Sequence, residues 1–209
     1  MYSFAIHPLP LPYVLSLDAR PLDAIDSVVI HCTELPDMAT AREYGERVLY
    51  PSGTGNSGHF YIDRDGRIEE YVPPARVAHH THGWNARSIG IELANRGRFP
   101  DWLDSRHQAM DAAYPDVQIE ALIALLQWLG GQVPTLIQIA GHEDLDQAEV
   151  PASDDPSILV RRKLDPGPQF PWPTVLAAVA LRRARCRTLP PPNPPPEREA
   201  MRQLRIIDG

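Results

Sequence analysis

The chain has 209 residues, 43% of them hydrophobic and 22% charged, with a formal net charge of -7; that fits one folded domain with appendages and argues against a general nucleic-acid binder, because neutralising phosphates takes clustered Lys and Arg. No stretch approaches the ~20 apolar residues of a membrane-spanning helix, residues 1–20 lack the basic start and long apolar run of an export signal, and Cys32 and Cys186 alone make no disulfide framework. The expectation is a soluble, cytoplasmic monomer with neither nucleic acid nor membrane as a partner.

Prolines mark the edges of the chain: Pro8, Pro10 and Pro12 near the start, Pro166 to Pro173 further on, and a run from Pro190 to Pro196. Residues 1–25 are weakly patterned and read as an extended lead-in to a domain over 26–185. Within it, residues 27–33 read as a short buried strand, with Val29, His31 and Thr33 on one face and Val28, Ile30 and Cys32 on the other. Cys32 therefore points away from His31 and reads as core.

Thr40, with Glu43 three residues on, predicts a capped helix over 41–49, followed by a loop rich in Ser and Gly. Residues 59–62 and 67–72 flank Asp65-Gly66, the signal of a β-hairpin. His79, His80 and His82 crowd the next loop. They suit either a second metal site or contact with a substrate, and no carboxylate at ligand spacing favours the metal. Residues 88–93 alternate cleanly, Ile89, Ile91 and Leu93 against Ser88, Gly90 and Glu92. A carboxylate in such a strand is either exposed or turned toward a partner or cleft, since burying it alone is costly.

Residues 94–115 read as a long surface excursion able to wall a cleft. Asp116 opens a helix to Leu129, stopped by Gly130-Gly131, and residues 136–140 form a strand that delivers His142 just past its end. Residues 143–155 carry six acidic residues in an irregular stretch, read as a solvated loop because the spacing of a calcium loop is missing. If residues 160–165 run extended, Lys163 and Asp165 share a face. A last helix is expected over 172–185. Residues 186–209, with most of the seven arginines and all three acids found after Leu181, read as a disordered, solvated tail with a short helix within 197–206.

His31, His142 and Asp165 together make a catalytic-zinc complement, three protein ligands with a position left for water. Here the chain resembles the zinc-dependent N-acetylmuramoyl-L-alanine amidases of type 2, whose fold the peptidoglycan recognition proteins share. The resemblance runs from Asp26 to Val175 and is carried by the block around His31, Gly58-His59-Phe60-Tyr61-Ile62 with Asp65-Gly66, Ala78 to His80, Asn85 and the strand through Glu92, Gly141-His142-Glu143-Asp144, and Lys163-Leu164-Asp165-Pro166-Gly167-Pro168.

It implies an α/β fold, a mixed central sheet with helices on both faces; Zn2+ bound by His31, His142 and Asp165; and Glu92 and Lys163 as the catalytic pair. His59, His80 and Asn85 would line the cleft. The implied reaction cuts the amide between N-acetylmuramic acid and the L-alanine of peptidoglycan or a muropeptide, in cell-wall turnover or recycling. Two other readings share the fold: a recognition module that binds muropeptide without catalysis, and a phage-type lytic amidase acting on intact wall. A zinc peptidase of the His-Glu-x-x-His kind is excluded because that motif is absent. The 22 residues between His142 and Asp165, and the long 96–115 stretch, exceed what compact members of the family carry and bear on substrate access.

Overall fold

A computed structural model describes residues 5–184. Its strands are β1 (Ile6–Pro8), β2 (Ser27–Cys32), β3 (Phe60–Ile62), β4 (Ile68–Glu70), β5 (Ser88–Leu93), β6 (Gln138–Gly141), β7 (Glu149–Pro151), β8 (Leu159–Arg161) and β9 (Arg182–Arg183). The helices are α1 (Met38–Glu46), α2 (Asp116–Gln132), α3 (His142–Leu145) and α4 (Trp172–Ala178). Seven strands form one sheet in the order β1-β4-β3-β5-β2-β6-β9, parallel throughout except for the β3–β4 hairpin, while β7 and β8 pair by themselves. The mixed sheet with helices on both faces is the expected class.

Alternation decides which residues meet which layer. Val28, Ile30 and Cys32 of β2, with Ile89, Ile91 and Leu93 of β5, join Leu122, Leu125 and Leu129 of α2 and Trp172 and Val175 of α4 in the larger core. Burying each such aliphatic side chain contributes roughly 1.5–3 kcal/mol, an upper figure because the unfolded chain is itself partly collapsed. On the other face, Met38 and Ala41 of α1 pack with Tyr61, Tyr71 and Ala94. The same face of β2 and β5 carries His31 and Glu92, so the strands that build the core also aim the polar residues at one place.

Several expectations are corrected. The N-terminal stretch is extended at β1, but there it pairs with β4, and Leu11, Tyr13 and Leu17 are buried in the second core. Helix α1 is capped by Asp37, whose carboxylate accepts the Thr40 N–H at 2.7 Å; the cap lies three residues earlier than read, because an aspartate in extended conformation reaches that donor first. Helix α2 runs through Gly130 and Gly131, both on its exposed side, and stops at Val133, where the following Pro134 disfavours helical backbone. Helix α4 ends at Ala178 rather than at Arg185: the chain turns extended at Val179, and Arg182–Arg183 supplies the outer edge of β6 with hydrogen bonds. The acidic stretch expected to be irregular holds α3 and the first strand of the β7–β8 hairpin. The tail over 186–209, with Cys186, lies outside the described residues. No helix among the described residues is long and apolar enough to cross a membrane.

Candidate active site

The site lies at the carboxyl ends of the central parallel strands, where an open α/β sheet leaves a crevice. His31 of β2 stands opposite Glu92 of β5, and Glu92 stands opposite Tyr61 of β3, so one line of register crosses three strands. His142 is the first residue of α3, just beyond β6. Asp165 arrives from the segment after β8. The Nδ1 atoms of His31 and His142 lie 3.0 and 3.2 Å from Asp165 Oδ2. One ligand atom from each of the three buried residues falls within 4.8 Å of the others.

A tetrahedral site with bonds of about 2.0 Å has ligand-to-ligand edges of about 3.3 Å, so both measured separations suit a shared cation. A second observation points the same way: Asp165 Oδ1 is buried with no hydrogen-bond partner, a state that a carboxylate rarely holds without an ion or water. Burial opposes ionisation of Asp165, but His142 and His31 hold its carboxyl well below the usual range. Burial, then the neighbouring His142, pushes the His31 imidazole down to about 4. That keeps His31 in the neutral form that binds metals.

The far side of His31 is held by a chain of hydrogen bonds that one assignment of protons satisfies throughout. His31 Nε2–H donates to Thr81 Oγ1 at 3.3 Å, the Thr81 hydroxyl donates to His80 Nδ1 at 3.0 Å, His80 Nε2–H donates to Ser88 Oγ at 3.3 Å, and Ser88 donates to the Trp84 carbonyl at 2.8 Å. In this assignment His31 Nε2–H also points at His80 Nδ1, 3.1 Å away, and Nδ1 faces Asp165 without a proton, the arrangement that orients a metal-binding imidazole. Gly90 makes room for it: a Cβ there would lie 2.6 Å from the His80 ring.

Glu92 Oε1 is 3.9 Å from His31 Nδ1, and its side chain is 15% exposed, so it borders the ligand cluster and still reaches the cleft. Burial, reinforced by Asp165, raises its pKa well above the ordinary value, while the Lys163 ammonium works against the shift. Gly58 leaves it space; a Cβ would come within 2.8 Å of Glu92 Cγ. Lys163 is half-buried in a segment that is not a strand, since β8 ends at Arg161, so the expected shared strand face with Asp165 is not what brings the two together. Its charge nevertheless acts on both Glu92 and His31.

Of the three residues expected to line the cleft, His80 and Asn85 are half-buried and His59 is fully enclosed. His59 is 0% exposed; its Nδ1 accepts the Gly90 N–H at 3.0 Å, its Nε2 lies 3.1 Å from the Arg76 carbonyl, and the Arg20 guanidinium lies 2.8 Å from the same nitrogen. Its ring is a buried brace with no face for a substrate. His80 backs His31 as described. The Asn85 side-chain oxygen accepts the N–H groups of His80 and Thr81 at 3.0 and 2.7 Å, so it shapes that loop. His79 and His82 stand outside the one His/Asp/Glu cluster found among the described residues.

Residue-by-residue reading missed Thr81, Arg20 and the buried pair Glu34–Arg98. Thr81 had a local signal, a hydroxyl beside His80. Arg98 had none, because it sits in an aperiodic loop and its partner is 64 positions away.

Comparison with known proteins gives a consistent picture. A family model described as N-acetylmuramoyl-L-alanine amidase matches residues 21–168. The 1,6-anhydro-N-acetylmuramyl-L-alanine amidase AmpD of Enterobacter cloacae is 33% identical over 120 residues, covering 53% of this chain and 50% of that protein. This chain spans about half the length of the curated relatives it matches. Among solved structures, the N-acetylmuramoyl-L-alanine amidase LysC from Clostridium intestinale URNW has a TM-score of 0.60 at 22% identity, covering 85% of this chain and 99% of its own, which speaks for the fold. The amidase AmiD from E. coli, solved with the substrate anhydro-N-acetylmuramic acid-L-Ala-D-gamma-Glu-L-Lys, has a TM-score of 0.52 at 25% identity, covering 77% of this chain and 58% of its own.

Proposed function

The chain belongs to the N-acetylmuramoyl-L-alanine amidase family, and from that premise we propose that it is a zinc-dependent hydrolase cutting the amide between N-acetylmuramic acid and L-alanine in muropeptides. The observation that carries the reading is the convergence of His31, His142 and Asp165 within 4.8 Å, with Glu92 Oε1 3.9 Å from one of them. Two imidazoles and a carboxylate with a buried, unpartnered oxygen form the nitrogen and oxygen donor set of a catalytic zinc site. Zinc bound there supplies Lewis acidity, enough to bring water within reach of deprotonation at neutral pH.

The chain's own residues do the remaining work. Glu92, on the same sheet face as the ligands but open to the cleft, takes the proton from the attacking water and hands it to the departing alanine nitrogen, without which the amine is a poor leaving group. Its raised pKa suits both halves of that transfer, because the carboxylate is a stronger base than that of an ordinary glutamate and more of it is held protonated near neutral pH. The Lys163 ammonium stabilises the charge that develops on the carbonyl oxygen, a contribution that only a fixed donor makes well. The substrate class follows from the relative AmiD, whose bound molecule is an anhydro-muramyl peptide.

The test is incubation of a muramyl-tripeptide with the zinc-loaded chain, read by mass spectrometry. Release of a free peptide with N-terminal alanine, lost in Glu92→Ala, is expected. Binding without release by the zinc-loaded wild type would replace the amidase reading with that of a recognition module.

A further inference from the structure

Arg98 and Glu34 form an ion pair away from the ligand cluster, with side-chain exposures of 1% and 8%. All five guanidinium N–H groups are used. Nε donates to Glu34 Oε1 at 2.7 Å and NH2 to Glu34 Oε2 at 2.9 Å. The remaining donors reach the Arg161 carbonyl at 3.0 Å, the Arg162 carbonyl at 3.2 Å and Gln108 Oε1 at 3.2 Å. The backbone bends to make this possible: Glu34 has a φ of +47°, and Gly97 has a φ of +50°, where a Cβ would sit 2.7 Å from Glu34 Cγ. Trp102 closes the arrangement by donating its indole N–H to the Glu34 carbonyl at 3.1 Å.

Stability alone does not account for such a pair, since a well-packed apolar substitute is often as stable as a buried salt bridge. What an apolar pair cannot do is grip two carbonyls. Those carbonyls belong to the two residues directly before Lys163, where the chain leaves the β7–β8 ladder: Arg161, opposite Glu149, is the last residue of β8, and beyond it main-chain bonds run from Arg162 N–H to the Ala148 carbonyl and from Glu143 N–H to the Asp165 carbonyl. Glu34, for its part, follows the ligand His31 by three residues on the same strand exit. The guanidinium thus spans from the end of β2 to the peptide groups that carry Lys163.

We propose that Arg98, seated on Glu34, is a positioning residue that sets Lys163 against the rest of the site. The role assigned to Lys163 rests on the amidase reading; the placement does not. Arg98 touches no reacting atom and acts through the backbone of residues 161 and 162.

The test uses the double variant Glu34→Gln/Arg98→Met, which removes both charges together and avoids leaving one buried alone, with Glu34→Gln/Arg98→Gln as a second, hydrogen-bonding replacement should the first fail to fold. Lys163 is the only lysine in the chain, so protein grown on 15N-lysine gives a single backbone amide signal, from residue 163, that reports its placement whether or not the chain is active. The double variant is expected to melt within about 5 °C of wild type, to shift that signal, and to lose about tenfold or more in kcat with KM changed by less than about twofold. Adding Lys163→Ala is expected to cost less than it does in the wild type, because the lysine is already displaced. An unmoved signal, or losses that multiply in full with Lys163→Ala, would overturn the proposal. A wild type that does not hydrolyse the amide would instead defeat the amidase reading, and the amide signal would still decide the placement.

Discussion

Two halves of the site are built in different ways. On one side, His31 and Glu92 are placed by strand register, each held by main-chain ladders that leave little choice of direction. On the other, residues 94–115 and 147–165 form a wall fastened largely by side chains, Arg98 to Glu34 and to the carbonyls before Lys163 and Asp154 to the Ser105 N–H and hydroxyl at 2.7 and 2.8 Å, with a main-chain bond from the Ser153 N–H to the Leu103 carbonyl at 2.9 Å. Asp165 comes from the wall, yet its carboxylate meets both histidines. A sheet supplies direction cheaply, whereas a loop needs specific long-range partners to reach comparable order.

The contrast can be broken outright by taking one proposed ligand from each half. His31→Ala and Asp165→Ala are both expected to lose bound zinc by elemental analysis and about 10⁴-fold or more in kcat/KM; full zinc occupancy in Asp165→Ala would mean that the wall is not part of the metal site. Smaller and confined to the sheet is Gly58→Ala. The new methyl has to displace Glu92, and a shift of that order is expected to lower kcat about 10- to 100-fold with zinc content unchanged. A loss equal to that of the ligand variants would show that Gly58 supports more than Glu92.

Thr81→Val removes one of the two partners behind His31 Nε2, leaving His80 Nδ1 at 3.1 Å. Outer partners of this kind typically matter about tenfold or more in metal affinity, which competition with a zinc chelator would measure; unchanged affinity would show that His80 and strand register suffice to orient His31. The smallest effect belongs to the exposed edge of the wall. Ser105→Ala severs the hydroxyl bond to Asp154 but keeps the backbone one, so stability is expected to move by less than about 0.5 kcal/mol in thermal melts.

The same contrast explains what the sequence discloses. The alternation of residues 28–32 and 88–93 names the faces of both strands, and thereby the company that His31 and Glu92 keep, before any coordinates are seen. Asp165 and Lys163 are identifiable as residues, but their meeting with the sheet is not, since the loops that carry them are fastened by long-range partners such as Arg98 and Glu34, 64 positions apart and with no periodic pattern. His59 misleads for a related reason: a histidine next to a site motif looks like a substrate contact, and only its bonds to Gly90, Arg76 and Arg20 show it to be a buried brace. Helix ends depart from expectation where a stronger local rule overrides a weaker one, as Pro134 does for Gly130 and Gly131.

The central claim, that both halves together make a zinc amidase, is tested most directly by hydrolysis of a muramyl-tripeptide in 18O-water with chelator-treated protein before and after zinc is restored. The account predicts no cleavage before, and afterwards a free tripeptide with the label in the lactyl carboxylate of the muramic acid. Cleavage that survives chelation, or label in the peptide fragment, would contradict it.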